Sequence, residues 1–512
     1  MQRTTRTIHN IIWGFLNRIC RIICPFITRT IILYLMGTLY TGLDGLFVSV
    51  LGVLSLAELG FGSALTYSMY QPLAEGKTKK VCALLQFYKK CYRIIGIVVL
   101  VFGLLLLPFM KYFIKGECPA DINIYILYAI YLSNSVISYF LYAYKSSLLT
   151  AMQRNDIVSN INTIIFIVQN IFQAILLLLF RNYYYYVIIM LVCTILINLT
   201  TEYWSNKHYP DYRCEGILEK SEHDAIIKNV KGIITQKIGG VILISADSIV
   251  ISMFLGLNTL TIYNNYYYVI MALFSFMAVI LSSLIPSVGN SLVSESKDKN
   301  FEDYQKFNFI YMWIAALGCT SLLCLYQPFM KLWVGEKLML PFYYVVLFAA
   351  YFFIHKWMDM LHVYLEATGI WWQTRLIPLL AALVNIALNL ILVKTIGLPG
   401  VIISTIISIF FIYNLGYLVA IIKLFFKKEA YLPALILRQT YYLFVTIISA
   451  TLTYLIAIRF QYEGAYCIVE RLLLCVTVPN IVMMLFYFRL PEFKKSMQFI
   501  LCIIKRRKTG GL

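Results

Sequence analysis

Residues 15–65 read FLNRICRIICPFITRTIILYLMGTLYTGLDGLFVSVLGVLSLAELGFGSAL. Two apolar runs, 19–41 and 43–68, follow a basic start, and each is long enough to cross a hydrocarbon core of roughly 30 Å as a helix. Only Arg21, Arg29, Asp44 and Glu58 carry charge along them. Arg29 stands about ten residues inside the first run. A guanidinium there costs about 3 kcal/mol or more against lipid, so it needs a wet or protein-lined setting.

The rest of the chain repeats the pattern. Of 512 residues, 61% are hydrophobic and 13% charged, and mean hydropathy is +0.78; a soluble domain carries nearly twice that share of charge. Further spans are predicted at 93–113, 122–148, 157–180, 183–203, 231–256, 260–292, 307–330, 341–367, 372–395, 399–422, 433–458 and 466–488. The expected fold class is therefore an all-α polytopic membrane protein of about 14 helices. The basic N-terminal segment runs into the first helix without a small-residue cleavage site, so it reads as an uncleaved span rather than a signal peptide.

The formal charge of +19 raises the question of nucleic acid, and its placement excludes it. Most Lys and Arg fall in alternate loops, among them Lys77, Lys79, Lys80, Lys89 and Lys90, the segment from Lys207 to Lys231, Lys427 and Lys428, and the tail from Lys505 to Lys508. The opposite loops hold Lys111, Lys115, Arg181, Lys331, Lys337, Lys394, Arg459 and Arg471. This asymmetry puts both termini in the cytoplasm and explains the basic balance. Arg29, Lys237 and Lys356 are left inside helices and need a reason to be there.

PFMKYFIKGE at 108–117 returns as PFMKLWVGEK at 328–337, and Leu149-Thr150-Ala151 and Asn170-Ile171 have echoes in Leu365-Glu366-Ala367 and Asn385-Ile386. Each PFMK copy ends the third helix of a block of about six. An even number of crossings gives both blocks one orientation, the parallel-repeat plan of some transporters. The organisation read from this is an N-terminal lobe at 1–203, a cytoplasmic linker at 204–230, a C-terminal lobe at 231–422, and two further helices with a basic tail at 423–512.

No phosphate-cradling glycine loop occurs, and the longest loop is too short for a nucleotide-binding domain. No cofactor is expected; a proton or Na+ gradient, or the substrate itself, is the remaining energy source. The 12 cysteines include no CxxC, and Cys20 and Cys24 lack partnering ligands, so they read as small core residues. YYYY at 183–186 and YNNYYY at 263–268 read as an interfacial aromatic belt or as sugar-stacking rings at a cavity mouth.

Three groups of residues stand out as candidates. On the first helix Arg18 and Arg29 share a face, with Arg21 about 60° away; Arg18 and Arg21 anchor the basic side or bind an anion, and Arg29 either pairs with Glu58 or Asp247 or offers its fork to phosphate oxygens. On the tenth helix His355, Asp359, His362 and Glu366 fall within a sector of roughly 60°, with Lys356 off by about 100°. That stripe is a polar cavity wall, a proton path or a hydrogen-bond network. His-Asp-His spacing also suits a metal, but no second cluster completes such a site, so none is expected. On the seventh helix Lys237 is a second anion ligand and Asp247 a coupling acid, with Gly239-Gly240 permitting close packing.

Residues 15–65, KIGGVILISADSIVISMFLG at 237–256 and YLEATGIWWQTRLIPLLAALVNIALNLILVKTIGLPGVIISTIIS at 364–408 resemble Wzx-type polysaccharide flippases of the multidrug/oligosaccharidyl-lipid/polysaccharide exporter superfamily. The resemblance implies a V-shaped pair of six-helix lobes around a central cavity that opens alternately to either side. It implies a non-enzymatic carrier of undecaprenyl-pyrophosphate-linked oligosaccharide for capsule, O-antigen or exopolysaccharide, in a bacterial cell membrane. Membrane lipids and the glycosyltransferases and polymerase of the same pathway are its implied partners, and nucleic acid is not. The family's basic first helix falls on Asn17, Arg18 and Arg29, its acidic second-helix motif on Glu58 and its seventh-helix acid on Asp247. Two positions depart from the pattern: Asp44 stands where Asn is frequent and Glu366 where Asp is common. The competing readings are an ion-coupled drug exporter of the same superfamily, which would favour acidic over basic cavity residues, and a membrane polysaccharide polymerase or ligase, which would need a long outer loop.

Overall fold

The computed structural model describes the backbone of residues 2–58, 61–460 and 464–508, with side chains except at 2–18, 57–58, 61, 63–65, 221–222, 224–225, 228–233, 236 and 503–508. No strand occurs among the described residues. Contacts divide the chain into a first unit, Met1–Thr261, and a second, Ile262–Leu512.

The first unit holds α1 (Gln2–Leu35), α2 (Thr38–Leu54), α3 (Phe61–Ala74), α4 (Thr78–Leu106, prolonged as a tighter helix to Phe113), α5 (Ile124–Phe140), α6 (Ala143–Ala151), α7 (Asn155–Phe180), α8 (Tyr183–His208) and α9 (Lys220–Leu255). Helix α10 (Leu257–Ser294) starts there and continues in the second unit, which adds α11 (Lys297–Val334), α12 (Phe342–Lys356), α13 (Asp359–Thr368), α14 (Trp371–Thr374), α15 (Leu376–Ile396), α16 (Leu398–Ile407), α17 (Leu415–Ile421), α18 (Leu432–Ala457), α19 (Ala465–Tyr487) and α20 (Pro491–Lys508). Eleven helices among the described residues are long and apolar enough to span a membrane, and α5 with α6, bent by 48°, makes a twelfth. The helices α1 and α2 occupy the other two of the expected stretches.

Several helices are longer than hydropathy predicted. α4 begins at Thr78 rather than near 93, α9 at Lys220 and α11 at Lys297, because basic residues interrupt an apolar window without interrupting helical backbone bonds. Residues 204–230 are consequently mostly helix, with a connection only from Tyr209 to Glu219. The segment expected as a basic tail contains α20, which docks on α11: Phe493 stacks on Trp313 at 6.1 Å and Ser496 Oγ donates to Lys306 O at 3.4 Å.

Between spans, where no hydrophobic force separates helix from lipid, packing relies on small residues and side-chain hydrogen bonds. Gly42 is one such position: a Cβ there would lie 2.6 Å from Leu257 O, so α2 and the start of α10 approach as closely as backbone allows. At the α9–α10 corner Gly256 has φ +88°, and a Cβ would meet Lys115 O at 2.7 Å, so the turn needs glycine both for its left-handed backbone and for room. Thr28 Oγ1 donates to Asn170 Oδ1 at 2.7 Å to join α1 and α7, and Asn385 Nδ2 donates to Thr405 Oγ1 at 2.9 Å to join α15 and α16. Each such bond contributes about 0.6 to 2 kcal/mol. The outward side of α7 carries Ile164, Val168, Ile171, Phe172, Ile175, Leu178 and Leu179, all exposed, a stripe at helical spacing suited to acyl chains.

Candidate functional site

The first unit gathers its charges where α1, α2, α5, α8 and the first turns of α10 meet. α1 is fixed on α7 by the Thr28–Asn170 bond, which places the next residue, Arg29, inward and partly buried. Its Nη2 lies 3.5 Å from Thr261 O. Thr261 is itself tied to α2, donating to Thr38 O at 2.6 Å and lying 3.0 Å from Thr41 Oγ1, while Thr38 Oγ1 donates to Asn258 Oδ1 at 2.5 Å.

On α2, one helical turn beyond Thr41, Asp44 Oδ1 accepts from Tyr131 Oη at 2.5 Å. Tyr131 Oη is 3.0 Å from Tyr183 Oη, and Arg29 and Tyr183 are both near that carboxylate. Tyr186 stacks on Tyr183 at 5.3 Å and Tyr40 lies 5.5 Å away on another side. The result is a carboxylate enclosed by phenols beside a guanidinium.

This arrangement corrects the belt reading of the tyrosine run. Tyr183 is 0% exposed, and of the four residues at 183–186 only Tyr185 is exposed. The helix start at Asn182, whose side chain accepts from Tyr184 N, sets the phase that turns Tyr183 inward. Tyr263 and Tyr266 of the second run are buried too; Tyr266 stacks on Phe348 at 5.6 Å and its carbonyl accepts from Tyr326 Oη at 2.7 Å.

In the second unit the polar stripe of 341–367 keeps to one face: of residues 351–366 only His355, Asp359, His362 and Glu366 are not buried. The backbone breaks briefly between α12 and α13 at Trp357–Met358, but Phe342–Thr368 remains one candidate span and the helical phase carries across the break. Lys356, placed off the stripe by the helical wheel, is the partner of Asp359: Lys356 Nζ is 2.5 Å from Asp359 Oδ2, which also accepts from Tyr311 Oη at 2.7 Å. Lys356 Nζ also sits 4.2 Å from the Phe274 ring centre. His355 lies against Phe274 and Tyr351, and its Nε2 is buried without a hydrogen-bond partner among the described residues. His362 rests between Tyr413 and Tyr417. Glu366, in contrast, is exposed in the last turn of α13.

The other predicted residues are scattered. Lys237 is exposed and opens the apolar part of α9, Lys237–Leu255; its helix starts well before the predicted boundary, which puts it at the edge of the span rather than deep within it. Asp247 on the same helix is 3% exposed. The side chains of Asn17, Arg18 and Glu58 lie outside the described residues. Cys20 and Cys24 are free thiols, and no group of three or more His, Cys, Asp or Glu that could hold a metal ion occurs among the described residues.

Sequence reasoning passed over Lys145, which is 5% exposed. It donates to Asn206 Oδ1 at 2.9 Å and approaches Tyr212 O at 3.5 Å. The signal was in the repeat: Lys145 precedes Leu149-Thr150-Ala151, the echo of Leu365-Glu366-Ala367, by a single helical turn.

The fold has known relatives. The chain matches a lipid II flippase, MurJ, in an inward closed conformation with TM-score 0.64 and 16% identity over 94% of this chain and 99% of that one. It matches an inward-facing multidrug resistance MATE family transporter of the MOP superfamily with TM-score 0.59 and 14% identity, over 80% of this chain and 98% of that one. A MATE transporter from Vibrio cholerae gives TM-score 0.55 and 12% identity over 82% and 97%. No curated protein matches the sequence significantly. Residues 7–292 match the model of a family described as polysaccharide biosynthesis protein. With more than half its length inside that match, the chain belongs to the polysaccharide biosynthesis protein family, and it shares the fold of these solved structures.

Proposed function

We propose that this protein is a flippase that carries a polyprenyl-pyrophosphate-linked oligosaccharide across a cell membrane by alternating access. The observation that carries the reading is Arg29, a guanidinium partly buried within the first span beside Thr261 in a member of a polysaccharide biosynthesis family. A pyrophosphate with sugars attached cannot cross hydrocarbon unaided, because each charge and unsatisfied hydroxyl costs kilocalories there. A cationic fork inside the bundle meets that cost, and Arg presents its donors in the geometry of phosphate oxygens.

In this reading Arg29, with Arg18 and Lys237 toward the basic end, receives the pyrophosphate. Asp247 is the candidate acid for coupling to a proton or Na+. Lys356 would have to leave Asp359 before it could bind an anion, which makes it a weaker candidate than Arg29. Tyr40 and Tyr186, the part-exposed tyrosines beside Asp44, offer ring faces to sugar. A second reading, export of small amphiphilic cations, draws on the two carboxylates Asp44 and Asp359, both held within the spans by phenols.

The deciding experiment is translocation of a labelled polyprenyl-pyrophosphate oligosaccharide in proteoliposomes, comparing the parent with Arg29→Ala and Lys237→Ala. Transport by the parent that is lost in correctly folded Arg29→Ala supports the flippase. Cation-driven efflux of small amphiphiles, with no movement of any of several lipid-linked sugars, would replace it with the exporter.

A further inference from the structure

Two helices of the first unit expose faces of opposite character. The outward side of α7 is an aliphatic stripe, as acyl chains require. On α3 the exposed residues are Tyr67, Tyr70, Gln71 and Ala74, with Thr66 partly exposed beside them. At about 100° per residue they fall within a sector of roughly 140°, and Met69 and Pro72 on the opposite side are buried. Among the described residues of that sector there is no aliphatic side chain larger than that of alanine.

This composition separates water from lipid. Hydrocarbon cannot satisfy an amide, so Gln71 on a lipid-facing side would cost free energy. Its Nε2 donates to Glu75 Oε1 at 2.8 Å, and its amide oxygen keeps its capacity to accept. Tyrosines near the end of a span also form interfacial belts, and α1 shows what such a ring looks like: Tyr34, 64% exposed, shares its face with the exposed Ile23 and Ile27. Tyr67 and Tyr70 have no such company.

The chemistry of the face narrows its occupant. Tyr67 is 74% exposed and Tyr70 45%; their ring centres lie 6.3 Å apart at 87°, an edge-to-face pair that leaves flat ring surface uncovered. The sector carries no charge, and the first charges past it, Lys77 and Glu75, are 2.6 Å apart and offset each other. A pyrophosphate would find no unpaired cation there, and an amphiphilic cation no unpaired carboxylate. An uncharged sugar needs what is present: ring surface for the C–H face of a pyranose, and amide and hydroxyl groups for its own hydroxyls. We infer that this face of α3 is a sugar-binding wall, on which the glycan of the lipid-linked substrate lies with a pyranose against Tyr67 or Tyr70 and hydroxyls at Gln71 and Thr66. The inference rests on the flippase reading and adds to it a subsite for the uncharged part of the substrate.

The test is hydroxyl-radical footprinting of the full-length protein in proteoliposomes, read by mass spectrometry. The probes are polyprenyl pyrophosphate carrying a neutral tetrasaccharide, the same lipid without sugar, and a quaternary ammonium amphiphile. Without a probe, Tyr67 and Tyr70 should be oxidised several-fold faster than Tyr34, the lipid-side control of the same residue type. The glycolipid should slow their oxidation several-fold, and the sugar-free lipid should leave it unchanged. Replacing both tyrosines, Tyr67→Leu with Tyr70→Leu, alters only exposed side chains and should weaken glycolipid binding about tenfold without affecting the sugar-free lipid. Oxidation as slow as that of Tyr34, equal protection by the two lipids, or protection by the ammonium amphiphile alone would overturn the inference. A parent that moves no lipid-linked sugar would remove the flippase reading and this subsite with it, whereas translocation without sugar-dependent protection would remove the subsite alone.

Discussion

Each unit breaks a helix within one span and fills the break differently. In the first unit α5 and α6 part at Leu141–Tyr142, and the neighbouring Lys145 is held by the neutral oxygens of Asn206 and Tyr212. In the second, α12 and α13 part at Trp357–Met358, and Lys356 is held by the carboxylate of Asp359. The repeat has kept the shape of the broken span and changed its charge. The cation of the second unit is neutralised where it stands, whereas Lys145 adds positive charge to the unit that also holds Arg29 and Lys237. Anion binding should therefore depend on the first unit, and stability on the ion pair of the second.

The largest effect should come from setting the two cations against each other. Arg29→Ala is expected to lower lipid-linked oligosaccharide translocation by about two orders of magnitude, the worth of a bidentate charged contact of roughly 3 kcal/mol, while leaving the melting temperature of the purified protein nearly unchanged. The paired replacement Lys356→Met with Asp359→Asn should change transport by less than about threefold, since it removes a cation already neutralised. Equal losses in the two proteins would break the division of labour between the units.

Stability should show the reverse order. Asp359→Ala leaves Lys356 buried beside Phe274 without its carboxylate, at a cost of about 3–5 kcal/mol, read as a loss of melting temperature in detergent. Adding Lys356→Met should restore most of that loss, because the uncompensated charge goes with it. If the double variant melts as low as the single one, the packing of the break, rather than the charge pair, holds α12 to α13.

A smaller effect is expected at Asp44. Tyr131→Phe removes the donor to a carboxylate and should cost about 1–3 kcal/mol. Asp44→Asn keeps an acceptor for Tyr131 and removes the negative charge beside Arg29, so stability should change by about 1 kcal/mol or less while transport of the anionic substrate rises. A fall in transport in the Asn variant, at unchanged stability, would show that the carboxylate itself takes part, as the exporter reading requires.

The spans were legible because about twenty apolar residues in a row admit few other fates. The two breaks were not, since neither Leu141–Tyr142 nor Trp357–Met358 contains the proline or glycine that marks most kinks. The wheel through His355, Asp359, His362 and Glu366 nonetheless picked out the one face of 351–366 that is not buried, and the local pair Lys356–Asp359, three residues apart, was within reach of the sequence. Arg29 announced itself by the cost of its charge. Lys145 has the same cost but lies in a short helix flanked by polar residues, where charge looks like loop. Tyr183 was hidden by its three neighbours, because a run of identical residues carries no phase; only the cap at Asn182 supplies it. The amphipathic α20 escaped for the opposite reason, its Lys and Arg outweighing the apolar face that docks on α11.

The smallest effect separates the two copies of the repeated PFMK segment. In the second copy Lys331 Nζ is 2.8 Å from Glu336 Oε1, and the hydrogen bond from that ammonium, followed by its charge, holds the Glu336 carboxyl below its ordinary value. A carboxyl whose folded value is depressed stabilises the protein above its unfolded value, and the contribution disappears as pH falls through the folded one. Glu336→Gln should therefore melt slightly below the parent at neutral pH and together with it once the carboxyl is protonated, a difference kept small by the exposure of both side chains, 58% and 72%. In the first copy Lys111 lies 5.9 Å from the centre of the Tyr125 ring, a cation–π contact with no carboxylate in it. Lys111→Gln should shift the melting temperature by an amount that stays constant across the same acidic range. A convergence with pH in Lys111→Gln to match that of Glu336→Gln would mean that an acid serves both copies, and that the segments share their electrostatics as well as their sequence.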